Sequence, residues 1–183
     1  MDLRRRMRAE LAKVSPAVRL AASLEACERL QPQLHSAAAI LFFAPLQDEL
    51  DLWPVLEDAL SRGILCALPS FNTTTQAYSA RLITDLNKQI VPGQFGVREP
   101  HPSCAEIPMD QFNLILVPGI AFDLKGNRLG RGAGFYDRIL ANVSRLKCGV
   151  CHDGQLLPEI PSEPSDVRLD FVLTPSRLVR CKS

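Results

Sequence analysis

Between Gly126 and Asp137 the chain reads GNRLGRGAGFYD. Four glycines and two arginines occupy the nine residues from Gly126 to Gly134. Glycine lets the backbone take positive φ and approach a ligand closely. Successive amides in such a loop form a nest for an anion, best where a helix begins. Gly130, Gly132 and Gly134 are therefore expected at positive φ. Arg128 and Arg131 add planar forks of donors that match phosphate or carboxylate. Asp137 adds a hard oxygen suited to Mg2+ that phosphate also holds. Phe135 and Tyr136 offer flat faces for a ring. Two familiar phosphate motifs fail here. No loop glycine is followed by Lys and then Ser or Thr, as a P-loop requires. In the dinucleotide pattern G-x-G-x-x-G, the third position falls on Phe135. The residues point to an anion, and on spacing alone a charged, glycine-rich surface turn stays open as the alternative.

The elements that must carry this loop can be read in order. Leu3 to Lys13 reads as a basic helix. Ser15-Pro16 is an N-cap followed by Pro at the first helical position, opening a helix to about Leu34. The run from Ala39 is a buried strand candidate, as is the run from Ile64, ended by Pro69. Leu52 to Arg62 is amphipathic and closed by Gly63. Thr73 to Gln76 reads as a turn and Ala77 to Ile83 as a strand. Val91 to Pro108 reads as an irregular crossing. The run from Phe112 to Pro118 is the strongest strand signal. The glycine loop follows it and feeds a helix from Phe135 to about Val143. Lys147 onward and Phe171 onward are further strands. Helices alternating with short apolar strands imply an α/β fold: a mostly parallel central sheet with helices on both faces. Ligands of such sheets sit at the carboxyl ends of strands.

Length and composition narrow the function classes. A chain of 183 residues favours a single domain, 1–183. A formal net charge of +1 argues against a bulk grip on nucleic acid or on an anionic membrane. No apolar run approaches the roughly 20 residues of a membrane span. The basic start lacks the apolar core of a secretory signal, and Asp2 and Glu10 count against a transit peptide. A cytoplasmic setting is expected, with the six cysteines mostly reduced and buried. Cys148-Gly-Val-Cys151-His152 matches the c-type haem pattern C-x-x-C-H. It falls in a strand candidate, where Cys is a common apolar filler, so a packing role is expected. His35 and His101 are expected at the surface.

The segment from Pro118 to Asp137, PGIAFDLKGNRLGRGAGFYD, resembles the signature of the 5-formyltetrahydrofolate cyclo-ligase family. That signature runs roughly P-G-x-x-F-D-x-x-G-x-R-L-G-x-G-x-G-[FY]-Y-D. Leu3-Arg4, Phe43-APLQDELD, Arg98-Glu99-Pro100 and Pro161-SEPSDVRLDFVLT are similar to other parts of the family. The resemblance implies an ATP- and Mg2+-dependent ligase that converts 5-formyltetrahydrofolate to 5,10-methenyltetrahydrofolate, releasing ADP and phosphate. It implies that Leu129, Gly130, Gly132, Ala133, Gly134, Phe135 and Tyr136 bind ATP together with Arg4, Arg128 and Arg131. Arg128, Arg131 and Tyr136 would serve catalysis. The reduced folate would touch Ala44 and Glu49, with Glu49 facing the pterin, and also Arg131, Gly132, Ala133, Gly134 and Phe135. Asp137 and Asp166 would hold the metal. A monomer is expected. The family usually carries a Lys three residues before the Leu-Arg pair; here Leu3 follows Met1 and Asp2, and Arg5, Arg6 or the chain's amino group would substitute. Two alternatives stay open: a non-catalytic folate- or nucleotide-binding homologue, and an ATP-dependent enzyme on another formylated substrate.

Overall fold

The computed structural model describes residues 2–72, 77–93, 96–132, 134–141, 143–163 and 166–182. The chain opens with α1 (Leu3–Leu11), capped by the Asp2 carboxylate, which accepts from the Arg4 N–H at 3.3 Å. In α2 (Pro16–Leu30) the Ser15 hydroxyl accepts from the Val18 N–H at 3.3 Å. This helix stops four residues short of the predicted end. Pro32 cannot donate to an α-helical ladder, and Gln31–Ser36 winds as a tighter 3-10 turn. Next come β1 (Ala39–Leu41), α3 (Trp53–Ser61), β2 (Leu65–Asn72) and β3 (Ala77–Ile83). The predicted turn from Thr73 to Gln76 lies outside the described residues.

Pro69 does not end its strand. The Phe71 N–H, which shares Pro69's side of β2, points to the Glu99 carboxylate and not to β3. On that side β1 stops opposite Ala67. Proline therefore costs no ladder bond there. The predicted irregular crossing is partly ordered. It holds α4 (Leu86–Gln89), β4 (Ile90–Pro92), β5 (Arg98–Pro100) and β6 (Glu106–Ile107), with β4 and β5 paired antiparallel.

The second half supplies β7 (Leu114–Pro118), β8 (Ala121–Asp123), β9 (Arg128–Leu129), α5 (Phe135–Leu140), β10 (Leu146–Val150), β11 (Leu156–Leu157), β12 (Phe171–Leu173) and β13 (Leu178–Arg180). The main sheet has eight strands in the order β13-β12-β10-β7-β1-β2-β3-β6. Its centre, from β12 to β2, is parallel, and the outer strands run antiparallel. Alternate residues face opposite ways. Ile40, Cys66 and Leu116 pack with α2 and α3, while Leu41, Ala67 and Ile115 pack with α5. Helices thus cover both faces, as predicted.

From β1 the chain moves outward through β2 to β3. It then returns to β1's other side at β7 and moves away through β10 to β12. The order reverses between β1 and β7, and the crevice beyond their carboxyl ends is the ligand position of an open α/β sheet. Phe43 and Ala44, just past β1, and Pro118, the last residue of β7, line a cavity there.

The Cys-Gly-Val-Cys segment is packing. Cys148 enters the core on one face of the sheet and Cys151 the core on the other. A Cβ on Gly149 would come within 2.7 Å of the Phe122 ring, so the glycine makes room for that ring. All six cysteines are free, and all but Cys181 are buried. His35 and His101 are exposed, as predicted. Among the described residues no helix is long and apolar enough to cross a membrane.

Candidate active site

The glycine loop does not leave β7 directly. Pro118-Gly119 leads into the β8–β9 hairpin, which turns on Asp123. This carboxylate is fully buried. It accepts from the N–H groups of Lys125 and Asn127 at 2.9 and 3.1 Å, the Asn127 side-chain amide at 2.9 Å and the Ile160 N–H at 3.2 Å. A buried charge is tolerated when its lone pairs are satisfied in this way. Gly126 sits at φ +82°, and a Cβ there would lie 2.5 Å from the Leu169 carbonyl oxygen. One carboxylate therefore fixes both the hairpin that ends in Arg128 and the 160–163 segment. Arg128, Pro161, Ser162 and Glu163 then line the same cavity.

Two of the three glycines behave as predicted. Gly132 and Gly134 have φ of +106° and +62°. Gly134 is the residue before α5, so the loop does run into a helix. Gly130 is not at positive φ; it is needed for space. A Cβ there would stand 2.8 Å from Arg128 Nη1. Helix α1 clips the loop from outside: Arg4 Nε donates to the Gly130 carbonyl at 3.1 Å, and Arg8 Nη2 to that of Arg131 at 3.0 Å. These arginines are one helical step of four apart, hence on one face. Met7 packs between the same helix and Leu129 in a small apolar cluster. Arg5 and Arg6 are exposed.

The cavity measures about 770 Å3. Arg4, Ala44 and Glu49 line it together with Arg128, Leu129, Gly130 and Arg131. Gly132, Gly134, Phe135, Tyr136, Asp137 and Asp166 complete the set drawn from the sequence. Ala133 lies outside the described residues.

The two loop arginines are held differently. Arg128 is almost wholly buried, and its Nη2 meets Asp137 Oδ1 at 2.5 Å. Its Nε is buried without a partner. Arg131 is more open and meets two carboxylates: Asp48 Oδ1 at 2.5 Å and Glu49 Oε1 at 2.9 and 3.1 Å. The other Glu49 oxygen accepts from the Leu46 N–H at 2.9 Å. Burial raises the Glu49 pKa, with the Leu46 amide and Arg131 opposing it. Burial works against the Arg131 charge, but Asp48 and Glu49 outweigh it and raise its pKa. Burial also pushes the Tyr136 phenol well above its ordinary range, reinforced by the Glu49 charge. A phenol so shifted keeps its proton, and Tyr136 lines the cavity with its ring against Phe135.

Asp137 is half exposed toward the cavity. Asp166 lines the cavity and also caps its own turn, accepting from the Glu163 N–H at 2.7 Å. Among the described residues no group of three or more His, Cys, Asp or Glu could hold a metal ion. A metal here needs oxygens from a bound ligand, which suits Mg2+ held by one or two carboxylates and phosphate.

Other lining residues escaped the sequence reading. Phe71, Tyr78 and Phe135 form an aromatic wall, with ring centroids 4.6 and 3.9 Å apart. Phe71 and Tyr78 belong to a strand pair, and nothing local marks them as a wall. Asp48, which meets Arg131 beside Glu49, was not singled out either. Arg98 lies in the Arg98-Glu99-Pro100 segment that resembles the family, but the resemblance gave it no role.

The model of the 5-formyltetrahydrofolate cyclo-ligase family matches residues 1–175. The chain is 30% identical over 151 residues to the 5-formyltetrahydrofolate cyclo-ligase of Escherichia coli, covering 80% of this chain and 83% of that one. It is 47% identical to the Mycolicibacterium smegmatis enzyme of that name over 91 residues, about half of each chain (48% and 47%). The Aquifex aeolicus 5,10-methenyltetrahydrofolate synthetase structure superposes with a TM-score of 0.88 at 27% identity, covering 99% of this chain and 92% of that one. The chain belongs to the 5-formyltetrahydrofolate cyclo-ligase family, a family of ligase-type enzymes.

Proposed function

We propose that the protein closes 5-formyltetrahydrofolate to 5,10-methenyltetrahydrofolate, using ATP with Mg2+ and releasing ADP and phosphate. The observation that carries this reading is one cavity holding an anion-suited loop, a buried acceptor and an aromatic wall together. A formyl oxygen is a poor leaving group. Transfer of the γ-phosphoryl group to it makes a good one, and N10 then displaces phosphate as the ring closes. Such a reaction asks the protein for alignment and charge neutralisation more than for covalent chemistry.

The loop amides from Arg128 to Tyr136 would cradle the phosphates, with Arg4 beside them. Arg128 and Arg131 would draw charge off the transferring group. The orphaned Nε of Arg128 suits that task, since a buried donor without a partner favours an acceptor brought by the ligand. Asp137 would hold Mg2+ with Asp166; when bound, the ion neutralises phosphate charge. Glu49 would accept from the pterin N–H donors, with Arg131 orienting its carboxylate. Tyr136 and Phe135 would separate the two ligands and exclude water. A cytoplasmic setting is proposed with this activity.

The test is ADP release by the purified protein with ATP and Mg2+. Release that requires 5-formyltetrahydrofolate supports the reading. Folate-independent hydrolysis, or none, contradicts it.

A further inference from the structure

Resting on that reading, we infer that Arg98 is the receptor for the negatively charged glutamate tail of the folate. Arg98 lines the cavity from β5 and is exposed. Its guanidinium stacks over the Trp53 ring, with Cζ 3.9 Å from the centroid. Trp53 packs against the core, and its backbone N–H, at the start of α3, donates to the Asp51 carboxylate at 2.9 Å. The three other arginines lining the cavity are engaged: Arg4 with a carbonyl, Arg128 with Asp137, and Arg131 with Asp48 and Glu49. Among the described residues Arg98 alone of the four has no carboxylate or carbonyl bonded to its guanidinium. A planar cation held flat by an aromatic ring, its donor edges unused, is arranged in advance for a carboxylate.

Neighbouring groups give the direction. Strand β5 lies along β2, where the Glu99 carboxylate accepts from the Phe71 N–H at 3.4 Å and sits against Gly93. Arg98 thus belongs to a strand whose next residue reaches Phe71, a member of the aromatic wall. A folate has a donor-rich pterin, a benzoyl ring and a glutamate with two carboxylates. Glu49, the wall and Arg98 complement these in turn. The tail then adds affinity through a contact remote from the reacting oxygen.

The test compares 5-formyltetrahydrofolate with 5-formyltetrahydropteroate, which lacks the glutamate, by calorimetry and steady-state kinetics. The wild type should bind the tailed compound about tenfold more tightly. Arg98→Gln should remove that difference by raising KM for the tailed compound alone, while Arg98→Lys retains part of it. Equal affinity of the wild type for both compounds, or an unchanged KM in Arg98→Gln, overturns the inference and leaves the proposed activity intact. Failure of the wild type to bind either compound overturns the proposed function and this inference with it.

Discussion

Arg128 and Arg131 stand three residues apart on one loop, yet the fold gives them different neighbours. Arg128 is buried and meets one half-exposed carboxylate, Asp137, while its Nε has no partner. Arg131 is itself more open and is already balanced by two less exposed carboxylates, Asp48 and Glu49. On the proposed function the first arrangement would receive an anion. The second would hold a carboxylate in position for hydrogen-bond donors. Residue type alone does not separate these roles; the neighbours brought by the fold do.

Substitutions can break this contrast. The largest effect is expected from Arg128→Ala, which should lower kcat about 100- to 1000-fold, as loss of a transition-state donor does. KM for the folate should change little, as steady-state kinetics would show. Asp137→Asn should act beside Arg128, raising the Mg2+ concentration needed for half-maximal rate; an unchanged Mg2+ requirement would take the metal away from Asp137. Asp123→Asn acts by another route. It weakens four hydrogen bonds to a buried carboxylate and should cost about 3 kcal/mol in urea unfolding. Glu49→Gln should raise KM for the folate about tenfold, with KM for ATP little changed.

The smallest effect is a pH limb. Burial lifts the Glu49 pKa above the ordinary 4.5. As pH falls through that raised value, the carboxylate gains a proton and ceases to accept from the pterin. KM for the folate should therefore climb at a higher pH than an ordinary Glu would give. The climb should be absent in Glu49→Gln, and a limb that persists in the variant belongs to another group.

Much of the site was legible because its chemistry is local. The glycines, Arg128, Arg131 and Asp137 lie within one short segment, and the family resemblance carried Arg4, Ala44, Glu49 and Asp166 to it. All of these line one cavity. The buried parallel strands were legible because each is an apolar run. Three kinds of feature were not legible. Gly130 looked like a positive-φ position, but its use is to clear space for a side chain two residues back. Pro69 looked like a strand end, but its neighbour on that side was already absent. The aromatic wall and the Arg98–Trp53 stack join residues far apart in sequence, and only the sheet order brings them together. Such contacts depend on tertiary register, which no local pattern encodes.

The most direct test of the central claim is optical. Purified protein is mixed with 5-formyltetrahydrofolate, ATP and Mg2+, and the near-ultraviolet absorbance of the methenyl product is followed. The account predicts a rise that requires ATP and is lost in Arg128→Ala. A flat trace from protein shown to be folded would contradict it.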